Sequence, residues 1–186
     1  MSVNVPLALS FATFQHGIQA RKRIDEPYIN HSIRVADIVK EVIVVSNIND
    51  VDYLNKMIAV ALLHDVLEDT DAIFEDLIDM FGDDVARMVM SLTNDKDIIK
   101  KMGKNDYLSL KVNCLSDDEL VVKLADRLDN IQDLDNKQDN NSWSEYYADQ
   151  TELIFLKCLD RKNYTMPQRI LINRIRDCLI AKEYIG

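Results

Sequence analysis

Residues 61–70 read ALLHDVLEDT, and they end a predicted amphipathic helix in an unusual way. The inward stripe of this helix passes from apolar residues to a histidine and a carboxylate: Leu54, Met57, Ala61, His64 and Glu68, with Asp65 and Asp69 one residue further round. Burying carboxylates that lack partners costs several kcal/mol each, and a bound cation removes that cost. A helix that emerges into solvent at His64 gives the same pattern, so this segment alone leaves a metal site and an exposed helix end equally open.

The rest of the chain carries helix signals and few turn residues. There are 4 Gly and 3 Pro in 186 residues, whereas sheet-rich folds need many turns. Ser116 and Ser142 each stand three residues before a glutamate, which is the spacing of a helix capping box. Gly103 is a possible break in a helix predicted over residues 98–114. We therefore expect an all-α bundle of roughly nine helices in a single domain, residues 1–186.

Composition and charge exclude several classes of protein. Lys and Arg number 22 against 32 Asp and Glu, and the net charge of −10 disfavours binding to nucleic acid or to anionic membranes. The sequence contains no run of about 18 apolar residues, which is the length that a membrane-spanning helix requires. The three cysteines are odd in number and show no C-x-x-C spacing, which favours reduced thiols in a cytoplasmic protein.

Two further residues could complete a metal site. His31 lies on the apolar stripe of the second predicted helix, where a lone histidine is more often a satisfied core residue than a ligand. The chain has 3 histidines, however, and both His31 and His64 occupy inward positions beside helix ends. Asp126 stands between Ala125 and Leu128 at the rim of the core, whereas for the nearby Asp129 we favour a solvated acidic face.

The spacing His31, His64-Asp65, Asp126 resembles the H…HD…D signature of the HD-domain metallohydrolases. The flanking words are more specific than the HD dipeptide: PYINH (27–31), ALLHDVLEDT (61–70), FGDDVA (81–86), LTNDK (92–96) and VKLADRLDN (122–130). Together they resemble the hydrolase half of the Rel/SpoT alarmone enzymes, and especially the stand-alone small alarmone hydrolases of the metazoan SpoT homologue type. This likeness extends over about residues 8 to 180 and implies an HD-domain helical bundle.

The resemblance also implies a metal and a reaction. Its ligands would be His31, His64, Asp65 and Asp126, holding one Mn²⁺ per chain, although mixed nitrogen and oxygen donors suit Mn, Fe, Co or Zn. Glu68 and Asp69 match the family's acid pair, which would orient or deprotonate a water molecule and protonate the leaving group. The implied reaction releases pyrophosphate from the 3′ position of guanosine 3′,5′-bis(diphosphate), or of its pentaphosphate, and leaves GDP or GTP.

The implied partner is a small-molecule guanine nucleotide. Arg21 and Lys22 match the family's nucleotide-binding pair. The spacer to PYINH differs in length among relatives, which also allows the register Lys22/Arg23, and we choose Arg21/Lys22. Asn130 matches a position near the ribose and base, and Asp133 lies on the same flank of its helix. A basic cluster could meet the distal phosphates or could be a solvated face, and both interpretations stay open: Lys96, Lys100, Lys101 and Lys104.

Two other functions remain open at this point. One is an HD-domain phosphatase for another nucleotide, such as NADPH or a deoxynucleotide. The other is a non-catalytic helical module that binds nucleotides, which the acid pair Glu68 and Asp69 argues against because a mere binder does not need it. The sequence leaves the oligomeric state, monomer or homodimer, undetermined.

Overall fold

Helices dominate the computed structural model of the protein, which describes residues 3–21, 26–135, 141–161 and 163–186. Eleven α-helices follow one another within these ranges: α1 (Val5–His16), α2 (Ile29–Val45), α3 (Val51–Leu63), α4 (Val66–Asp69), α5 (Phe74–Phe81), α6 (Asp83–Leu92), α7 (Lys96–Met102), α8 (Lys104–Cys114), α9 (Asp117–Gln132), α10 (Ser142–Thr151) and α11 (Met166–Ala181). A π-helix, Glu152–Lys157, continues α10. The all-α fold expected from the sequence is confirmed.

Two of the predicted helices are each divided, which explains why roughly nine were expected where the described residues form eleven. The helix that was expected to run through Glu68 stops at Leu63, and a turn at residues 64 and 65 separates it from α4. The helix predicted over residues 98–114 stops at Gly103, whose φ of 90° and ψ of 152° suit glycine alone. A Cβ on Gly103 would meet nothing within 4 Å, so the restriction lies in the backbone and not in packing.

The chain divides into two compact units, residues 1–94 and 95–186. The single domain expected over residues 1–186 stays a prediction. None of the helices in the described part of the chain combines the length and apolar character that crossing a membrane requires.

In residues 1–94 the central element is α3, which packs against α1, α2 and α6. Met57, Val60 and Leu63 have no exposed surface, because residues 57–63 of α3 are apolar around the circumference and such a segment is buried on several sides. This packing keeps the C-terminal end of α3 inside the unit. His64, the next residue, is consequently 3% exposed.

In residues 95–186 the corresponding element is α9, which packs against α10 and α11. Its predicted capping box is present, because the Ser116 N–H donates to Glu119 Oε2 at 2.7 Å and the Glu119 N–H donates to Ser116 Oγ at 3.3 Å. The capping box predicted at Ser142 is wrong, because the N-cap residue of α10 lies one position earlier. Asn141, not Ser142, caps α10 by accepting hydrogen bonds from the N–H groups of Trp143 and Ser144.

Arg127 joins α9 to the helices beside it in the same unit. The residue is buried, and its guanidinium lies 4.3 Å from the ring centroid of Tyr147 and 4.5 Å from that of Phe155. Its Nη1 donates to Gln150 Oε1 and to Thr151 Oγ1, each at 3.3 Å. Cation–π contacts and these hydrogen bonds compensate for the burial of the charge.

Candidate active site

His64 lies in the turn after α3 with one ring nitrogen fixed by the backbone. Its Nδ1 is 2.7 Å from the carbonyl oxygen of Ala61, and a carbonyl only accepts, so Nδ1 carries a proton and Nε2 carries the lone pair when the ring is neutral. That Nε2 lies 3.1 Å from Asp65 Oδ2. A hydrogen bond at the far nitrogen is the usual arrangement of a metal-ligating histidine.

His31 lies in the first turn of α2 and approaches the same carboxylate. It is 2% exposed, and its Nε2 is 3.7 Å from Asp65 Oδ2. The His31 and His64 rings meet edge to face, with centroids 5.2 Å apart. Residues 1–94 thus bring together three of the four predicted ligands, which favours a ligand role for His31 over that of a lone core histidine.

Asp126, the fourth predicted ligand, lies on α9 with both carboxylate oxygens engaged. Oδ2 accepts a hydrogen bond from Lys123 Nζ at 2.9 Å, and Oδ1 accepts one from Asn130 Nδ2 at 2.6 Å. Asn130 Nδ2 also lies 2.9 Å from the carbonyl oxygen of Asp126. Asn130, which the sequence marked as a nucleotide contact, therefore orients the carboxylate of a predicted ligand.

The predicted ligands of residues 1–94 lie close together, since the Asp65 carboxylate lies beside both imidazoles. Its Oδ2 is 3.1 Å from His64 Nε2 and 3.7 Å from His31 Nε2. The donors fit a divalent transition metal, because neutral imidazole nitrogens and carboxylates are its ordinary ligands and a cation offsets the repulsion between a nitrogen lone pair and a carboxylate 3.1 Å away.

The predicted acid pair lies at the end of α4, one turn beyond the histidine. Glu68 is half-buried, and its Oε2 accepts hydrogen bonds from the backbone N–H and from the side-chain amide of Asn94, both at 2.9 Å. Asp69 is exposed, and its Oδ2 lies 3.3 Å from the hydroxyl of Tyr28. One acid is thus held in a fixed direction while the other remains open to solvent.

Two residues near these acids were missed as functional candidates. The Tyr28 hydroxyl donates to Asp65 Oδ2 at 2.5 Å, and Asn94 holds Glu68 as described. Both lie in sequence words that carry the family resemblance, PYINH and LTNDK, which was the available signal. Neither neutral side chain looks like a ligand or an acid, and their partners are 37 and 26 residues away in sequence.

The predicted nucleotide contacts have different surroundings. Arg21 Nη1 lies 3.8 Å from Glu26 Oε1, and the Arg21 side chain is 11% exposed. The hydrogen bond from Arg34 is the main cause that holds the pKa of Glu26 below its usual value, and Arg21 adds to it. Lys22 and the alternative Arg23 lie outside the described residues. Asp133 is the C-cap residue of α9.

A family model described as HD domain matches residues 8–161. The chain belongs to the HD-domain family. A relative from Drosophila melanogaster, the guanosine-3′,5′-bis(diphosphate) 3′-pyrophosphohydrolase MESH1, is 41% identical over 129 residues, 68% of this chain and 66% of the relative. MESH1 of Danio rerio is 39% identical over 137 residues, 73% of this chain and 71% of the relative. The alignments therefore span about two thirds of the length of these relatives.

Among solved structures, a metazoan orthologue of SpoT that hydrolyses ppGpp resembles this HD-domain protein over almost its whole length. The TM-score is 0.77 at 29% identity, with 97% of this chain and 96% of the other covered. The resemblance drawn from the sequence words is confirmed, and the relatives that carry it are enzymes.

Proposed function

We propose that this protein hydrolyses guanosine 3′,5′-bis(diphosphate) and its pentaphosphate in a Mn²⁺-dependent reaction. The observation that carries the proposal is its 37–41% identity to relatives named as 3′-pyrophosphohydrolases of that compound. The reaction breaks the bond between the 3′ oxygen and phosphorus. Water supplies a hydroxyl group to the departing pyrophosphate and a proton to the 3′ oxygen, leaving GDP or GTP.

His31, His64, Asp65 and Asp126 are the proposed ligands of one cation per chain. A divalent cation held by them would activate a water molecule and offset the charge of the phosphate under attack. The proposal gains support from the fixed directions of the side chains: Ala61 orients His64, and Lys123 with Asn130 orients Asp126. Ligands whose rotamers are fixed in advance lose less entropy on binding.

Glu68 and Asp69 are the proposed acid and base. Asn94 directs the Glu68 carboxylate, which suits a group that must accept a proton from water in one defined position. Asp69 is exposed, which suits a group that protonates the leaving 3′ oxygen and then exchanges its proton with solvent. This division of labour is part of the proposal.

Arg21, Lys22, Asn130 and Asp133 are the proposed nucleotide contacts. A protein with a net charge of −10 needs local cations to bind a polyphosphate, and Arg21 and Lys22 supply two.

We also propose that the enzyme is cytoplasmic, since Cys114, Cys158 and Cys178 are free thiols. Its proposed partner is a small-molecule guanine nucleotide.

A product assay tests this proposal. Protein stripped of metal and reloaded with Mn²⁺ is incubated with the alarmone, and GDP and pyrophosphate are expected in equal amounts. Parallel incubations with NADPH and with a deoxynucleoside triphosphate test the phosphatase alternative through kcat/KM. Binding of the alarmone without turnover by metal-replete protein would instead support a non-catalytic module and refute the hydrolase.

A further inference from the structure

Tyr28 lies between a predicted metal ligand and a predicted acid. Its hydroxyl is 2.5 Å from Asp65 Oδ2 and 3.3 Å from Asp69 Oδ2. These two carboxylates lie one turn apart, at the two ends of α4, and like charges at that spacing repel each other. The hydroxyl has one proton, and the shorter distance assigns it to Asp65, so this hydrogen bond lowers the repulsion and fixes the direction of the Asp65 carboxylate.

The third histidine of the chain stacks on the ring of Tyr28. His16, at the end of α1, is 2% exposed and stacks on the Tyr28 ring with centroids 4.6 Å apart. His16 Nδ1 lies 3.0 Å from Gln19 Oε1, and Gln19 Nε2 donates to the carbonyl oxygen of Asp69 at 2.7 Å. The amide oxygen must accept here because its nitrogen donates to a carbonyl, so Nδ1 of His16 is the protonated nitrogen.

The backbone fixes the same arrangement independently of the carboxylates. The Tyr28 N–H donates to the carbonyl oxygen of Gln19 at 2.8 Å. Stacking, the Gln19 side chain and this backbone bond therefore set the position of the phenol. The hydroxyl is in place before any ligand binds, which is the condition for preorganisation.

We propose that Tyr28 is a positioning residue that holds the Asp65 carboxylate in the direction needed to bind the metal. This rests on the proposed function for the role of Asp65. Tyr28 itself need not touch substrate or metal. His16 and Gln19 hold Tyr28 in place. This is the role we propose for His16, the buried histidine that is not among the predicted ligands.

The decisive variant is Tyr28→Phe, because it keeps the ring that stacks on His16 and removes only the hydroxyl. Binding of Mn²⁺ alone is measured by titration calorimetry on the metal-free full chain, and steady-state hydrolysis of the alarmone is measured separately. We expect Mn²⁺ affinity to fall by about tenfold, as is usual when an outer hydrogen-bond partner of a ligand is lost. We expect kcat to fall by a similar factor while KM changes by less than about twofold.

Three further measurements keep the test specific. Tyr164→Phe removes a hydroxyl that donates to the carbonyl oxygen of Leu159, and it should leave affinity and rate unchanged. In an Asp65→Asn background, Tyr28→Phe should cause little additional loss of affinity, because residues in one network are not additive. His16→Ala, which leaves the hydroxyl in the chain but removes its support, should weaken Mn²⁺ binding in the same direction, and it replaces Tyr28→Phe if that variant does not fold.

The two proposals fail in different ways. Wild-type affinity and kcat in Tyr28→Phe, with the wild type active on the alarmone, would overturn the positioning role alone. A wild type that binds Mn²⁺ but leaves the alarmone intact would overturn the proposed function, while the calorimetric comparison would still decide whether Tyr28 orients Asp65.

Discussion

Glu68 and Asn94 are joined by two hydrogen bonds that end on the same oxygen. The backbone N–H and the side-chain amide of Asn94 both lie 2.9 Å from Glu68 Oε2. With one oxygen held by two donors, the carboxylate plane has a fixed direction and so does its other oxygen. Asn94, two residues beyond the end of α6, thereby orients an acid on α4.

Replacing Asn94 by Ala should lower kcat by about tenfold and leave KM within about twofold, because the variant loses orientation of an acid or base and not a substrate contact. Steady-state kinetics on the alarmone measures both parameters. Asn173→Ala is the matched control, since Asn173 is an exposed residue of α11 and should have no effect. An unchanged kcat in Asn94→Ala would show that Glu68 needs no such support.

Removing the metal should destabilise the protein as well as inactivate it. A ligand that binds the folded state alone stabilises it by about 2.7 kcal/mol at a concentration of roughly 100 times Kd. Urea unfolding with Mn²⁺ and with a chelator should therefore differ for the wild type and coincide for His64→Ala. Asp79→Ala, an exposed change on α5, should keep the full difference, and a metal response retained in His64→Ala would contradict the ligand assignment.

Lys123→Met should measure the electrostatic contribution of the ion pair between Lys123 and Asp126. The two side chains are 10% and 12% exposed, and removing one member of a buried pair costs about 3 kcal/mol of unfolding free energy. We expect this loss in metal-free protein and a smaller loss with Mn²⁺, because a cation compensates the remaining carboxylate. Arg87→Met breaks a surface pair with Asp83 and should leave the urea midpoint unchanged in both conditions. Equal losses with and without metal would argue against a cation at Asp126.

Acid should remove the stabilisation that Glu26 provides. Hydrogen bonds from Arg34 Nη1 and Nη2, at 3.0 and 2.8 Å, hold the pKa of Glu26 below its usual value of 4.5. A lowered pKa in the folded state means that the contribution is complete above 4.5 and disappears as the pH falls through the folded-state pKa. Glu26→Gln should therefore lose about 0.5 kcal/mol at neutral pH and nothing in strong acid, since the pair is partly exposed.

Urea midpoints between pH 7 and strong acid measure this difference. Glu75→Gln, a change at an exposed carboxyl in the first turn of α5, serves as the control. A Glu26→Gln effect that persists in strong acid would assign the loss to packing instead of charge.

The sequence was most informative where one local pattern determined the structure. The Ser116 capping box and the apolar stripe that ends at His64 were both readable because each depends on residues three or four apart. The N-cap residue was harder to predict where two candidates were adjacent, as at Asn141 and Ser142, since either side chain can reach the first free N–H groups of the helix.

The predicted ligands of residues 1–94 could be found because imidazole and carboxylate groups are recognisable in a sequence as metal ligands. The residues that orient them could not, because the choice of Tyr28 and Asn94 follows from contacts between distant segments. Arg127 illustrates the same limit in the core. An arginine is ordinarily expected at the surface, and its burial became explicable only when the rings of Tyr147 and Phe155 were found within 4.5 Å of its guanidinium.

The π-helix at Glu152–Lys157 marks a place where the chain could be shortened by one residue. Phe155 reaches Arg127 from within this wide turn, which accommodates more residues than an α-helical turn would. Deleting one residue between Thr151 and Phe155 would restore the shorter hydrogen-bonding step of an α-helix and keep the later side chains close to their present directions. A shortening by a single codon should therefore cost less here than inside α9, where it would rotate every later side chain by about 100°.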